Sequence, residues 1–451
     1  LANRLIHVFQ EGAFFFIMQE QKRRDFIKQT AAWLGALAAP TVLPARVIAR
    51  AGRILPSEKI VMGCIGVGWQ GTDNMLNFLS EPDVRIVAVC DLDRNHAENA
   101  RTLVNKKYDN NDCAVYHDFR ELLARPDIDA VSLGLPDHWH AIPVIEAAEA
   151  GKDCYGEKPF AHSLREGRAM VDALQRHGRV WQTGSWQRSL ERFRFACELV
   201  YNGCIGRVNH VQVGLPAGYS DFAGTFGRDR VTPPPAELDY DFWVGPAPYS
   251  PYIESRTHKN WRWHLDFGGG QLTDWIGHHG DIAHWGLGLD YTGPIEIEGF
   301  GDYPSHPVYN TATRYRISTR YANGVHMTIA GGHKDIRSGT KWIGEDGWVW
   351  VDRGGIDSHP KSLLNYHFGS NDRRLYRSPG HCRNFLDCVR SRGLTITPAE
   401  VAHRSATPGH LGQIAMLLGR KLYFDPEKEV ILNDPTANAM LGNSLRSPWS
   451  L

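Results

Sequence analysis

The chain lacks the features that would place it among several broad classes. Its 50 basic and 50 acidic residues cancel, so no global field draws it to nucleic acid or to an anionic membrane. The 8 cysteines show no C-x-x-C spacing, which leaves neither a zinc site nor a disulfide framework to read. Cys64 and Cys90 lie in apolar runs and read as small core residues. There is no internal repeat and no long low-complexity tract, and the apolar run 31–43 is short for a membrane span. What remains is a chain of 451 residues, long enough for two domains and rich in glycine and tryptophan.

The most informative stretch is 60–91. Ile60 to Ile65 is an apolar run of the kind that forms a buried parallel strand. Gly66-Val67-Gly68-Trp69-Gln70-Gly71 then makes a G-x-G-x-x-G turn, a helical pattern follows through Leu79, and a second strand runs from Val84 to Cys90. Asp91 closes the unit about twenty residues past the last glycine. Gly66 permits the tight turn, Gly68 admits a pyrophosphate, and Gly71 allows close helix packing. The pyrophosphate would sit on the helix N-terminus, and Asp91 would take the ribose hydroxyls and repel a 2′-phosphate, favouring NAD over NADP.

Further along, helices near 95–107, 119–123, 142–150 and 164–177 alternate with strands near 114–116, 130–135 and 180–183, the pattern of a doubly wound parallel sheet. Pro136-Asp137-His138-Trp139-His140 falls at a strand's carboxyl end, where such sheets bind ligands. Glu157-Lys158-Pro159 ends another strand, and Gly184-Ser185-Trp186-Gln187-Arg188 follows a third. Beyond 188 the chain turns to β-branched or alternating segments at 208–213, 295–301, 313–320, 325–330 and 348–351, with Asn323-Gly324 as a hairpin turn. The proline- and aromatic-rich excursion 215–263 is too long for a simple connection and reads as a surface loop beside the substrate site.

Within 268–281, a helix starting at Leu272 would put Asp274 and His278 on one face with Asp281 a turn further. That spacing suits a carboxylate orienting an imidazole that removes a hydroxyl proton, with His279 as an alternative base. Two other readings stand beside it: His278, Asp281 and His284 as a metal trio, or as polar core residues. Trp186, Trp261, Trp263 and Trp275 are candidates for stacking on sugar rings, or for core packing.

The glycine turn, Asp91, the Pro-Asp-His-Trp-His segment and Ala-Gly-Lys followed by Glu-Lys-Pro together resemble the Gfo/Idh/MocA family of oxidoreductases, from about residue 60 to the C-terminus. The resemblance implies an α/β Rossmann dinucleotide-binding domain (52–187). An α+β domain with a large, mostly antiparallel open sheet (188–380) follows, and 381–451 are C-terminal helical segments packing back on the first domain. It implies NAD as cofactor, with Gly66, Gly68, Trp69, Gln70, Gly71, Asp91, Pro136, His140, Glu157 and Gln187 at the dinucleotide. It also implies Lys158, His278 and Asp274 as catalytic residues, with no metal. The expected reaction is hydride transfer from a hydroxyl of a sugar, glycoside or polyol. A redox-neutral glycosidase or lyase that recycles its NAD is the alternative, and a cofactor-loaded binding protein a third.

The N-terminus adds an expectation about location. Residues 1–17 fit no fold element and Met18 looks like a start, so that stretch reads as upstream sequence. Arg23-Arg24-Asp25-Phe26 before a weakly apolar run resembles a twin-arginine signal within 1–51, with a disordered basic terminus as the bland alternative. Export by the twin-arginine translocase to the periplasm would require NAD bound before export and kept. Some exported relatives cover the cofactor with an arm after the signal, but only 52–59 are left for one here, so another segment would have to serve. A homo-oligomer is expected from the family.

Overall fold

The computed structural model describes residues 58–451. The leader and the signal expected within 1–51 lie outside the described residues.

The first sheet is parallel and six-stranded: β1 (Ile60–Ile65), β2 (Val84–Cys90), β3 (Ala114–Tyr116), β4 (Ala130–Leu133), β5 (Asp153–Gly156) and β6 (Trp181–Thr183). Its order is β3-β2-β1-β4-β5-β6. That order reverses between β1 and β4, so a crevice opens at their carboxyl ends. The central strands β1, β4 and β5 are short and almost wholly buried because helices cover both faces. Met75 and Phe78 of the helix Trp69–Ser80 pack on one face, Val144, Met170 and Val171 on the other.

The second sheet has nine strands in the order β13-β12-β11-β7-β10-β9-β8-β14-β15. Its members are β7 (Val208–Leu215), β8 (Glu296–Asp302), β9 (Arg314–Arg320), β10 (His326–Gly331), β11 (Gly339–Gly344), β12 (Trp348–Val351), β13 (Ile356–His359), β14 (Leu422–Asp425) and β15 (Val430–Ile431). All neighbours pair antiparallel except β7 with β10. Alternation is clear in β9, where Tyr315, Ile317 and Thr319 point into the core and Arg314, Arg316 and Ser318 do not.

Four strands escaped the sequence reading. β11 is framed by glycines and carries a lysine, β13 is a polar edge strand, and β14 and β15 come from the tail expected to be helical. The helix Ala399–Leu418 bridges the two sheets: Ala399 and Ala402 pack with the first core, Leu411, Ile414 and Ala415 with the second. The helix His381–Ser391 sends Phe385 and Leu386 into the first sheet's core. Among the described residues no helix is long and apolar enough to cross a membrane.

Candidate active site

A cavity of about 480 Å³ opens at the β1/β4 switch point. It is lined by Gly66, Gly68, Trp69, Gln70, Asp91, Pro136, Glu157, Lys158 and Asp274, all singled out from the sequence, and by Asp137 and Arg262, which were not. The glycine turn behaves as its motif requires. Gly66 has φ of +73°, and a Cβ on Gly71 would lie 1.8 Å from the Gly66 carbonyl oxygen. Side chains leave the helix N-terminus after Gly68 uncapped, so its N–H groups are available to a pyrophosphate. Asp91 accepts from the backbone N–H groups of Val67 (2.8 Å) and Asp93 (2.9 Å), which fixes its carboxylate while leaving lone pairs for ribose hydroxyls. The residues present therefore fit a dinucleotide.

Two expected cofactor residues face protein instead. The buried His140 ring lies between the carbonyls of Pro159 (2.7 Å) and Leu135 (2.9 Å). Gln187 is fully buried; its amide donates to the His278 carbonyl and accepts from Arg353 Nε, both at 3.1 Å.

At the inner end of the cavity Lys158 Nζ donates to Asp274 Oδ1 at 2.9 Å, and Arg262 Nε donates to the same oxygen at 3.2 Å. Burial works to raise the Asp274 carboxyl, but Lys158 and then Arg262 hold it below the usual carboxylate range. Asp137 is the opposite case. It is 3% exposed, accepts no side-chain hydrogen bond among the described residues, and is pushed well up by burial and by Asp274. One cation pair thus stands beside two carboxyls whose proton affinities are driven apart.

The expected hydrogen-bonded pair of Asp274 and His278 is not formed, and the reason is local. The helix Gly270–Trp275 does not continue regularly; Ile276–Gly280 is a π turn, after which Asp281–Leu287 resumes the α pitch. The wide turn breaks the four-residue register on which the pairing depended. Three side chains from two other segments take its carbonyls: Ser185 Oγ on Gly277 (2.7 Å), Gln187 on His278 (3.1 Å) and Thr340 Oγ1 on His279 (2.7 Å). The backbone runs so close to Lys158 that a Cβ on Gly277 would lie 3.1 Å from the Lys158 Cβ.

His278 is buried, with Nδ1 unpartnered and its ring against the edges of Trp275 (5.3 Å) and Trp186 (6.3 Å). Burial, then the Lys158 and Arg353 cations, push it well below the ordinary imidazole range, so it is neutral and able to accept a proton. Burial and Arg353 likewise bring His279 down to about 4.

The metal trio considered from the sequence has other partners: Asp281 is bound by Arg188 (2.7 and 2.8 Å), and His284 Nε2 meets Tyr321 Oη (2.7 Å). A different group, Asp93, His96 and His258, brings one ligand atom each to within 4.8 Å of the others beside Asp91. Of the four tryptophans, Trp263 is buried in aromatic packing and Trp261, also buried, lines the cavity, whereas Trp186 is 37% exposed and Trp275 half-buried.

The excursion 216–263 does not stop at the substrate side. It folds back over the Asp91–Asp93 end of the cavity around a small core of its own that includes Tyr240, Trp243 and Trp261. Arg94 N–H donates to the Glu237 carbonyl (3.0 Å), and Asp239 N–H to that of Leu92 (3.1 Å). The Trp243 carbonyl lies 2.8 Å from Trp139 Nε1 and 3.0 Å from His138 Nε2. The far C-terminus fastens the outside, with Trp449 stacked on Phe242 and Arg446 Nε on the Gly245 carbonyl (2.8 Å).

Comparison with known proteins decides the family. The Gfo/Idh/MocA oxidoreductase family's NAD-binding Rossmann fold matches residues 60–185 and its C-terminal alpha/beta domain residues 193–451. The chain belongs to this family. The family is one of oxidoreductases, and the domain that 60–185 match is its NAD-binding one, so the cofactor is NAD. The chain is 33% identical over 144 residues to a 2,7-anhydro-N-acetylneuraminate hydratase of Mediterraneibacter gnavus, covering 32% of this chain and 36% of that protein. It is 32% identical over 178 residues to a glycosyl hydrolase family 109 protein of Shewanella (35% and 38%). The chain thus spans little more than a third of the length of these curated relatives. The WlbA dehydrogenase of Bordetella pertussis, solved with NADH and UDP-GlcNAcA, shares the fold at a TM-score of 0.61 and 16% identity, over 81% of this chain and 99% of that one.

Proposed function

We propose that the enzyme oxidises a hydroxyl group of a sugar, glycoside or polyol, with Lys158, His278 and Asp274 as the reacting set. NAD supplies the hydride acceptor. Lys158 donates a hydrogen bond to the hydroxyl oxygen and stabilises the negative charge that grows there as hydride departs. Asp274 holds Lys158 in place rather than orienting the imidazole. His278, kept neutral, takes the hydroxyl proton. The observation that carries this reading is the Lys158–Asp274 contact, made across 116 residues of sequence at the inner end of the cavity that holds Gly68 and Asp91.

The test is to mix the as-purified protein with a panel of sugars, glycosides and polyols and follow the absorbance of reduced nicotinamide. At least one member should reduce the cofactor, and Lys158→Ala should abolish this while NAD content stays the same. A silent panel, or a fully active Lys158→Ala, would refute the assignment.

A redox-neutral cycle of oxidation, loss or transfer of a neighbouring oxygen and re-reduction is the second reading. Asp137 favours it, because a buried carboxyl in the cavity, its proton affinity raised by burial and by Asp274, is placed to protonate a departing oxygen. The two curated relatives are named as a hydratase and a glycosyl hydrolase, which agrees with such a cycle.

We further propose that NAD stays bound between turnovers, that the enzyme is exported by the twin-arginine translocase to the periplasm, and that it works as a homo-oligomer. In this reading the excursion 216–263 takes the covering role that 52–59 are too short to fill. Slow release of NAD from the mature enzyme is the expected result, and rapid exchange would end the retention argument.

A further inference from the structure

Arg353 follows β12 and stands outside the set just described. Its guanidinium lies over two indoles at once, 4.5 Å from the ring centre of Trp186 and 4.6 Å from that of Trp275. Its Nε donates to Gln187 (3.1 Å), and its own carbonyl accepts from Arg192 (2.6 Å). Stacking fixes the plane of the group, and the Nε bond fixes its rotation about that plane.

The terminal nitrogens are left over. Among the described residues Arg353 forms no ion pair and neither terminal nitrogen makes a hydrogen bond, although the neighbouring sequence offers Asp352. That carboxylate is turned to the backbone N–H groups of Gly354 (2.7 Å) and Gly355 (2.8 Å). The same two indoles edge onto His278. An oriented, unneutralised fork therefore stands beside the imidazole read above as the base.

We propose that Arg353, held between Trp186 and Trp275, is a carboxylate-binding subsite, and that the enzyme's preferred substrates are acidic sugars of the uronate class. A carboxylate matches the free edge of the guanidinium with two parallel N–H···O bonds, while a neutral hydroxymethyl group can accept only one. A bound carboxylate would also shield His278 from the Arg353 cation. This inference rests on the reading of His278 as the base of the substrate site.

The test measures binding rather than turnover, using the fluorescence of the holoenzyme's own tryptophans. Glucuronate and galacturonate are titrated against glucose and galactose, with wild type, Arg353→Lys and Arg353→Gln. Wild type should bind at least one acid about tenfold or more tightly than its neutral counterpart, as a charge-assisted bidentate contact implies. Arg353→Gln should bring that ratio to about one and Arg353→Lys to an intermediate value, because lysine keeps the charge and loses the fork. Equal binding of acid and neutral sugar in wild type overturns the subsite, as does a preference that survives in Arg353→Gln. Should neutral sugars reduce the cofactor while acids show no advantage, the subsite falls and the oxidoreductase reading stands. Should no sugar bind or react, both fall.

Discussion

Asp274→Asn changes one oxygen to an NH2 group and removes the anion that Lys158 and Arg262 share. Both cations are only 14% exposed, so water replaces little of the lost interaction. At an effective dielectric near 20, unit charges about 3 Å apart attract by roughly 332/(20 × 3), or about 5 kcal/mol, before desolvation is subtracted. Stranding a buried partner costs about 3–5 kcal/mol in general. The cavity beside this pair is open and asparagine keeps one acceptor, so the expected loss falls below that range, at about 2–3 kcal/mol. For a chain of this size that is a fall in Tm of about 2–3 °C.

A double-mutant cycle with Lys158→Met separates this contact from general disruption. The combined variant should lose less than the sum of the single variants by about 1.5 kcal/mol, because removing Lys158 leaves one stranded cation fewer. Single-turnover reduction of the bound cofactor should drop by about a hundredfold or more in Asp274→Asn, since a displaced Lys158 no longer meets the developing alkoxide. Additivity within about 0.5 kcal/mol would refute the electrostatic argument. So would an Asp274→Asn enzyme with wild-type Tm and rate.

The remaining predictions concern the covering segment and acid stability. Gly245 has φ of +51°, and a Cβ there would lie 2.0 Å from the Trp139 ring, so Gly245→Ala must lift the excursion off its seat; NAD release to an excess of a scavenging dehydrogenase should accelerate about tenfold, and an unchanged rate would show that the excursion does not retain the cofactor. Despite burial, His403 (2.8 Å) and Arg168 (2.7 Å) hold Glu429 down to about 2, against an ordinary 4.5. A depressed carboxyl stabilises above its unfolded pKa and loses that contribution as pH falls through the folded one. Wild type should therefore exceed Glu429→Gln by about 2–3 kcal/mol in urea unfolding at pH 7, with the gap closing between pH 4.5 and 2; a pH-independent gap would contradict the linkage.

The first sheet was legible because its signals are local. Strand, glycine turn, helix, strand and terminal acid occupy one continuous stretch, and each rests on steric rules acting over a few residues. In the second sheet β7, β8, β9, β10 and β12 were visible through alternation or β-branched residues, whereas β11, β13 and β14 were not: β11 is framed by glycines, β13 is an edge strand that needs only one buried face, and β14 is completed by pairing with distant β8.

The site divides in the same way. Lys158, Asp274 and His278 could be named from motif and spacing, but their mutual arrangement could not. The inference from i to i+4 assumes an unbroken α pitch, and the π turn at Ile276–Gly280 removes that assumption. Side chains as far off as Ser185, Gln187 and Thr340 meet that turn's carbonyls, and no local pattern records them. Asp137 sat inside a recognised motif, yet only its burial beside Asp274 raises its proton affinity and sets it apart from that carboxylate.

By itself, the order of residues settled which cofactor the chain takes and which sheet would carry it, because backbone conformation at a glycine turn depends on nearest neighbours. Which carboxylate Lys158 meets, where the 216–263 segment comes to rest and what faces Arg353 were decided by the folded chain alone. Those contacts join segments far apart in the chain, most of them by more than a hundred residues, and burial and charge, which govern the choice of partner there, are properties of a place in space rather than of a position in sequence.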